Sequence, residues 1–181
     1  MKVEPTALPE VLLLEPRKYG DARGWFYESW NRRSFREAAG VEADFVQDNH
    51  SRSARNVVRG LHYQLRRPQG QLIRVTLGEV FDVTVDLRRG SPRFGRAVGI
   101  KLDAECGRML WVPAGFAHGF LVISEFAEMQ YKVTDYYAPE DERTLAWNDP
   151  ALGIDWPVQG EPLLSDKDRR GAWLAAAETY D

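Results

Sequence analysis

Residues 79–87 read Glu79-Val80-Phe81-Asp82-Val83-Thr84-Val85-Asp86-Leu87. Phe81, Val83, Val85 and Leu87 alternate with Asp82, Thr84 and Asp86, the period of two that marks a half-buried β-strand. Runs of the same kind flank it on both sides: Asn56–Gln64, Gln71–Thr76, Arg96–Leu102, Arg108–Val112, Gly119–Ile123 and Ala127–Val133. Turn residues separate them, in Pro68-Gln69-Gly70, at Gly78, in Gly90-Ser91-Pro92 and in Pro113-Ala114-Gly115. Many short strands at this spacing predict an all-β sandwich or barrel. Only two helices are expected. One covers Asn31–Ala39 and stops at Gly40, a residue suited to the left-handed position after a helix; the other lies near the C-terminus, around Arg170–Glu178.

Composition narrows the possibilities. The chain has 181 residues, 44% of them apolar, with no repeat, linker or low-complexity stretch, so one folded domain over 1–181 is expected. The net charge is -3 with both signs interspersed. No basic block points to nucleic acid, and no apolar run approaches the ~20 residues of a membrane span. The first residues, MKVEPTALPE, lack the apolar core of a signal peptide. A single cysteine, Cys106, rules out an intramolecular disulfide and any multi-cysteine metal site, and a reducing cytoplasm is the expected compartment.

The chemistry-bearing residues are few. Histidines occur only at positions 50, 62 and 118. His62 stands in Arg59-Gly60-Leu61-His62-Tyr63-Gln64 and His118 in Pro113-Ala114-Gly115-Phe116-Ala117-His118-Gly119-Phe120, both strand contexts beside glycines. Imidazole is the natural acid and base at neutral pH. Arg59, Arg23, Lys132 and Lys167 add positive charge near these motifs, and arginine suits bidentate phosphate binding. An acid–base site for a phosphorylated ligand and a set of ordinary salt bridges both fit at this point. Trp25, Phe26, Tyr27, Tyr136 and Tyr137 sit in polar company and can stack on a nucleobase or simply pack.

Several stretches, taken in order, resemble the dTDP-4-dehydrorhamnose 3,5-epimerase family. They are residues 20–28 (GDARGWFYE), 45–51 (FVQDNHS), 58–64 (VRGLHYQ), 78–83 (GEVFDV), 115–120 (GFAHGF), 147–150 (WNDP) and 164–168 (LSDKD). Gly107…Pro113-x-Gly115-x-x-His118 also resembles the second general cupin motif, with Val122 where many metal cupins have asparagine. The resemblance spans nearly the whole chain. It implies a cupin-type jelly-roll barrel, carrying the two helices above, that forms a homodimer by strand exchange, with Val11–Leu14 as the exchanged strand. It implies a cofactor-free epimerase acting on dTDP-4-dehydro-6-deoxy-D-glucose in dTDP-L-rhamnose biosynthesis.

Carried over residue by residue, His62 is the base, Asp168 orients it, and Tyr131 is the acid on the opposite face. Arg23, Glu28, Gln47, Asp48, Asn49 and Arg59 correspond to nucleotide and diphosphate contacts. Phe26 and Tyr137 flank the thymine, and His118, Glu142 and Lys167 match further ligand-contacting positions. No HxH pair occurs, so no metal is expected. One position departs from the family: after Gln69-Gly70 a lysine is usual, and here Gln71 stands. An amide can donate to an oxyanion but brings no charge. A mono-epimerase acting at C3 or C5 only, a ketoisomerase, a metal-dependent cupin and a non-catalytic sugar-nucleotide-binding barrel are the competing readings.

Overall fold

The computed structural model describes residues 1–181 and is built from two facing antiparallel sheets. The strands, in chain order, are β1 (Lys2–Pro5), β2 (Leu12–Glu15), β3 (Tyr19–Asp21), β4 (Gly24–Phe26), β5 (Gln47–Ala54), β6 (Val58–Gln64), β7 (Gln71–Leu77), β8 (Glu79–Asp86), β9 (Ala97–Asp103), β10 (Met109–Val112), β11 (Phe116–Val122), β12 (Phe126–Val133) and β13 (Glu142–Thr144). One sheet runs β1-β2-β10-β7-β12-β5 and the other β13-β6-β11-β8-β9, while β3 and β4 form a separate hairpin. The expected strands are all present, with ends moved by no more than a few residues.

Between the sheets lies an apolar cluster that includes Ile73, Val75, Leu110, Val112, Phe116, Phe120 and Met129. A second cluster, with Val83, Val85, Leu87, Leu121, Leu145 and Trp156, lies on the opposite face of the five-stranded sheet, where the chain after β13 covers it. The opening alternation on β8 is therefore buried on both faces, not half-buried. Phe81, Val83 and Val85 pack under the C-terminal segment, and Asp82 and Thr84 are wholly buried on the other face, toward the barrel interior. A strand central to its sheet, between β11 and β9, has no solvent face to give its polar residues.

Helix α1 (Arg32–Ala39) forms where expected. Asn31 caps it by accepting from the backbone N–H groups of Arg33 and Ser34, and Gly40 ends it in the left-handed region. Its Phe35 is buried against Trp111 on the outer face of the six-stranded sheet.

The expected helix over Arg170–Glu178 does not form. A shorter one, α2 (Asp166–Arg169), capped by Ser165, precedes it, and only a turn of 3-10 helix at Leu174–Ala176 follows. At Gly171 the backbone passes so near Ala146 that a Cβ would meet it at 2.8 Å, and Ala172 exchanges backbone hydrogen bonds with Thr144 and Ala146. Pairing with an existing strand edge overrides the helix preference of Ala175–Ala177. Strand β2, the expected exchanged strand, pairs with β10 of its own chain and with β1. No helix is long and apolar enough to cross a membrane.

Candidate active site

A cavity of about 370 Å³ opens between the two sheets. Strand alternation selects its lining on β5: Gln47, Asn49 and Ser51 face the cavity, while Asp48 pairs with Lys132 in a different pocket, on the outer face. From β12 comes Tyr131, and from β7 Gln71. The five-stranded sheet contributes Arg59, His62, His118 and Glu142, and Tyr137 and Lys167 close the rim from loop and helix.

Arg59 and His62 are three residues apart, so on a regular strand they would point to opposite faces. The register explains why both reach the cavity. His118 pairs with His62 but Phe120 pairs with Arg59, so β6 carries one residue more than β11 across this step. Such a bulge re-aims side chains. It needs Gly60, which has φ 122° and approaches Gly119 so closely that a Cβ would sit 2.6 Å from the Gly119 Cα.

His62 Nε2 donates to Asp168 Oδ1 at 2.6 Å. Asp168 is 4% exposed, and its other oxygen accepts from the Ser165 hydroxyl at 2.7 Å. Burial pushes its carboxyl up, but the His62 and Ser165 hydrogen bonds and the charges of His62 and Lys167 outweigh that and hold it below the ordinary range. With Nε2 committed to the carboxylate, Nδ1 is the nitrogen left to act as a base. Burial raises the Tyr131 phenol; Arg59 partly opposes this and Glu142 adds to it. The two groups stand on opposite walls, because β6 and β12 belong to different sheets.

His62 Nδ1, the Tyr131 hydroxyl, the Gln71 amide and the terminal guanidinium nitrogens of Arg59 make no hydrogen bond within the protein, and none is sealed from solvent. Arg59 is held only through Nε, to Ser53 at 2.9 Å, and has no carboxylate partner. Lys167 pairs with Glu142 at 2.7 Å, and Tyr137 donates to the same carboxylate at 3.1 Å. His118 Nε2 lies 3.0 and 2.9 Å from the two oxygens of Asp82.

Arg23, Phe26 and Glu28 do not line the cavity. Arg23 and Phe26 belong to the exposed β3–β4 hairpin, where Arg23 pairs with Asp21 and Phe26 is 71% exposed. Glu28 accepts from Asn31 and Ser34 at the start of α1. Asp82, Ser51 and Gln69 escaped the sequence reading. Asp82 carried no signal of its own, because with Thr84 and Asp86 it forms the polar half of the alternation, which assigns such residues to solvent. No group of three or more His, Cys, Asp or Glu side chains is placed to hold a metal ion.

Fold and site together define a cupin-type β-barrel with a candidate base and a candidate acid on facing walls of one cavity. Residues 5–176 match the family model for dTDP-4-dehydrorhamnose 3,5-epimerase, and the chain belongs to that family. It is 62% identical over 180 residues to the dTDP-4-dehydrorhamnose 3,5-epimerase of Pseudomonas aeruginosa, covering 99% of both chains. A crystal structure of a Legionella pneumophila dTDP-6-deoxy-D-glucose-3,5-epimerase in complex with dTDP-4-keto-L-rhamnose is similar, with TM-score 0.95, 48% identity and coverage of 98% of this chain and 94% of that one. A 3′-monoepimerase from Streptomyces bikiniensis in complex with dTDP-quinovose is also similar, at TM-score 0.90 and 36% identity, covering 98% and 89%.

Proposed function

We propose that this chain inverts C3 and C5 of dTDP-4-dehydro-6-deoxy-D-glucose by acid–base catalysis through an enolate. The observation that carries this reading is the His62–Asp168 pair at 2.6 Å facing Tyr131 across one cavity. The C4 ketone acidifies the hydrogens on C3 and C5. His62 Nδ1 takes one of these protons, and the C–H electron pair moves into an enolate with its charge on O4. Tyr131 delivers a proton to the opposite face of the same carbon, which inverts it. His62 then gives up its proton and Tyr131 regains one from solvent. Each well-placed acid or base is worth ~10²–10⁴ in rate, about 3–5 kcal/mol of barrier.

Arg59, free of any carboxylate, suits the diphosphate, with Gln47, Asn49 and Lys167 around it. Tyr137 and Phe26 supply flat surfaces for the thymine. Because Arg23 and Phe26 stand on a projecting hairpin, we assign them to the cavity of a second copy in a homodimer. The single cysteine suits a reducing cytoplasm.

The test is proton NMR of dTDP-4-dehydro-6-deoxyglucose with the protein in D₂O, with EDTA present. Deuterium at both C3 and C5 with inversion at both supports the reading. Label at one carbon alone makes the protein a mono-epimerase, and a requirement for added metal overturns the acid–base account.

A further inference from the structure

Asp82 is 0% exposed, and its two carboxylate oxygens have a single donor between them, His118 Nε2. A wholly buried carboxylate with one neutral N–H for company is costly, because nothing nearby balances its charge. Arg88, two residues beyond the end of that strand, is committed to Asp86 and Glu10. Neither other cation of the cavity pairs with Asp82: Lys167 pairs with Glu142, and Arg59 bonds only to Ser53. A second proton on His118 makes the buried pair neutral overall. His118 Nδ1 has no partner in the protein and is not sealed from solvent, so that proton is available to the cavity.

The reaction assigned above needs donors aimed at O4 when the enolate forms, and a charged donor stabilises it more than a neutral one. Gln71 reaches the cavity but is uncharged, and His62 must arrive unprotonated to act as a base. Arg59 is the group suited to the diphosphate. We propose that His118, held as an imidazolium by Asp82, is the charged donor to the enolate oxygen. Gln71 adds a neutral N–H beside it, and Asp82 is a positioning residue that acts only through His118. This inference rests on the proposed epimerisation.

It explains why a fully buried acid stands in the middle of β8. The carboxylate behind His62 has a second donor in Ser165 and a lysine nearby. Asp82 has neither: burial pushes its carboxyl up, and only the charge and hydrogen bond of His118 oppose that.

Two measurements on the full-length protein test the assignment. In ¹⁵N-histidine-labelled protein without substrate, His118 should carry protons on both ring nitrogens at neutral pH and should lose one in Asp82→Asn. A neutral His118 tautomer in the wild type overturns the proposal, whatever the enzyme turns over. Kinetically, Asp82→Asn should lower kcat by ~10²-fold, the scale of losing an oxyanion donor, with KM nearly unchanged. Adding Gln71→Lys to that variant should restore kcat at least ~10-fold, because an ammonium returns charge by another route. A purely structural Asp82 would not be rescued, and failure of rescue in a folded double variant also overturns the proposal. If Asp82→Asn does not fold, His118→Gln with and without Gln71→Lys reads the same rescue. Absence of any exchange at carbon in the wild type would instead defeat the epimerase reading, with the NMR of the free protein still reporting on the pair.

Discussion

His62 and Tyr131 line the cavity from different sheets, so the roles proposed for them should separate on mutation. His62→Asn removes the base and should abolish both deuterium wash-in and product, since no enolate forms. Tyr131→Phe removes only the donor. His62 can then take a proton and return a deuteron on the same face, so exchange at carbon should persist with little or no inversion. Inversion at the wild-type rate in that variant would mean that water or another group is the acid. The raised Tyr131 phenol also fixes a direction in pH. An acid must be protonated to donate, and a phenol held above its ordinary value of 10.0 stays protonated further into alkali. The ratio of inversion to exchange should therefore remain flat from neutral pH up to about pH 10. A ratio that falls well below that point would show that a more acidic group supplies the proton.

Among the elements, β6 matters most to the site, and its shape depends on two glycines facing each other. Gly60→Ala puts a Cβ at a positive φ and within 2.6 Å of backbone that cannot yield. We expect a loss of about 3 kcal/mol, or ~6–12 °C in Tm by thermal unfolding for a chain of this size. Activity should fall further than stability explains, because the same step aims Arg59 and His62 together. A Gly60→Ala protein with wild-type Tm and kcat would show that the bulge is not needed. The motif Arg59-Gly60-Leu61-His62 named these residues, but a spacing of three on a strand argues against a shared face. Only the register shift against β11 resolves that conflict. The C-terminal segment teaches a similar lesson. The family resemblance named Asp168 and the structure sets it against His62, yet the helix expected just after it gave way to a pairing with residues 144–146 that local propensity does not register.

The β3–β4 hairpin carries the prediction that belongs to the whole molecule. All six of its strand residues are exposed, and Arg23 and Phe26 lie outside the cavity of their own chain. Light scattering should report a homodimer at micromolar concentration. If each hairpin serves the neighbouring cavity, His62→Asn and a double variant Arg23→Ala/Phe26→Ala should each be impaired as pure dimers and complement each other when mixed. Random pairing makes half the dimers mixed, each with one intact site, so about a quarter of wild-type activity should return. No recovery from mixed dimers would place the hairpin over its own cavity or over none. The sequence by itself determined the strands and helix α1, because period-two patterning and caps are local properties of the chain, and its resemblance to the family supplied the barrel class and the candidates His62, Tyr131 and Asp168. The tertiary structure alone decided that Arg59 shares a face with His62, that Asp48 turns away, that Asp82 is buried against His118, and that the C-terminal segment pairs rather than coils. Each of these depends on which strand lies beside which, and in what register, and such long-range pairing leaves no mark in the neighbouring residues.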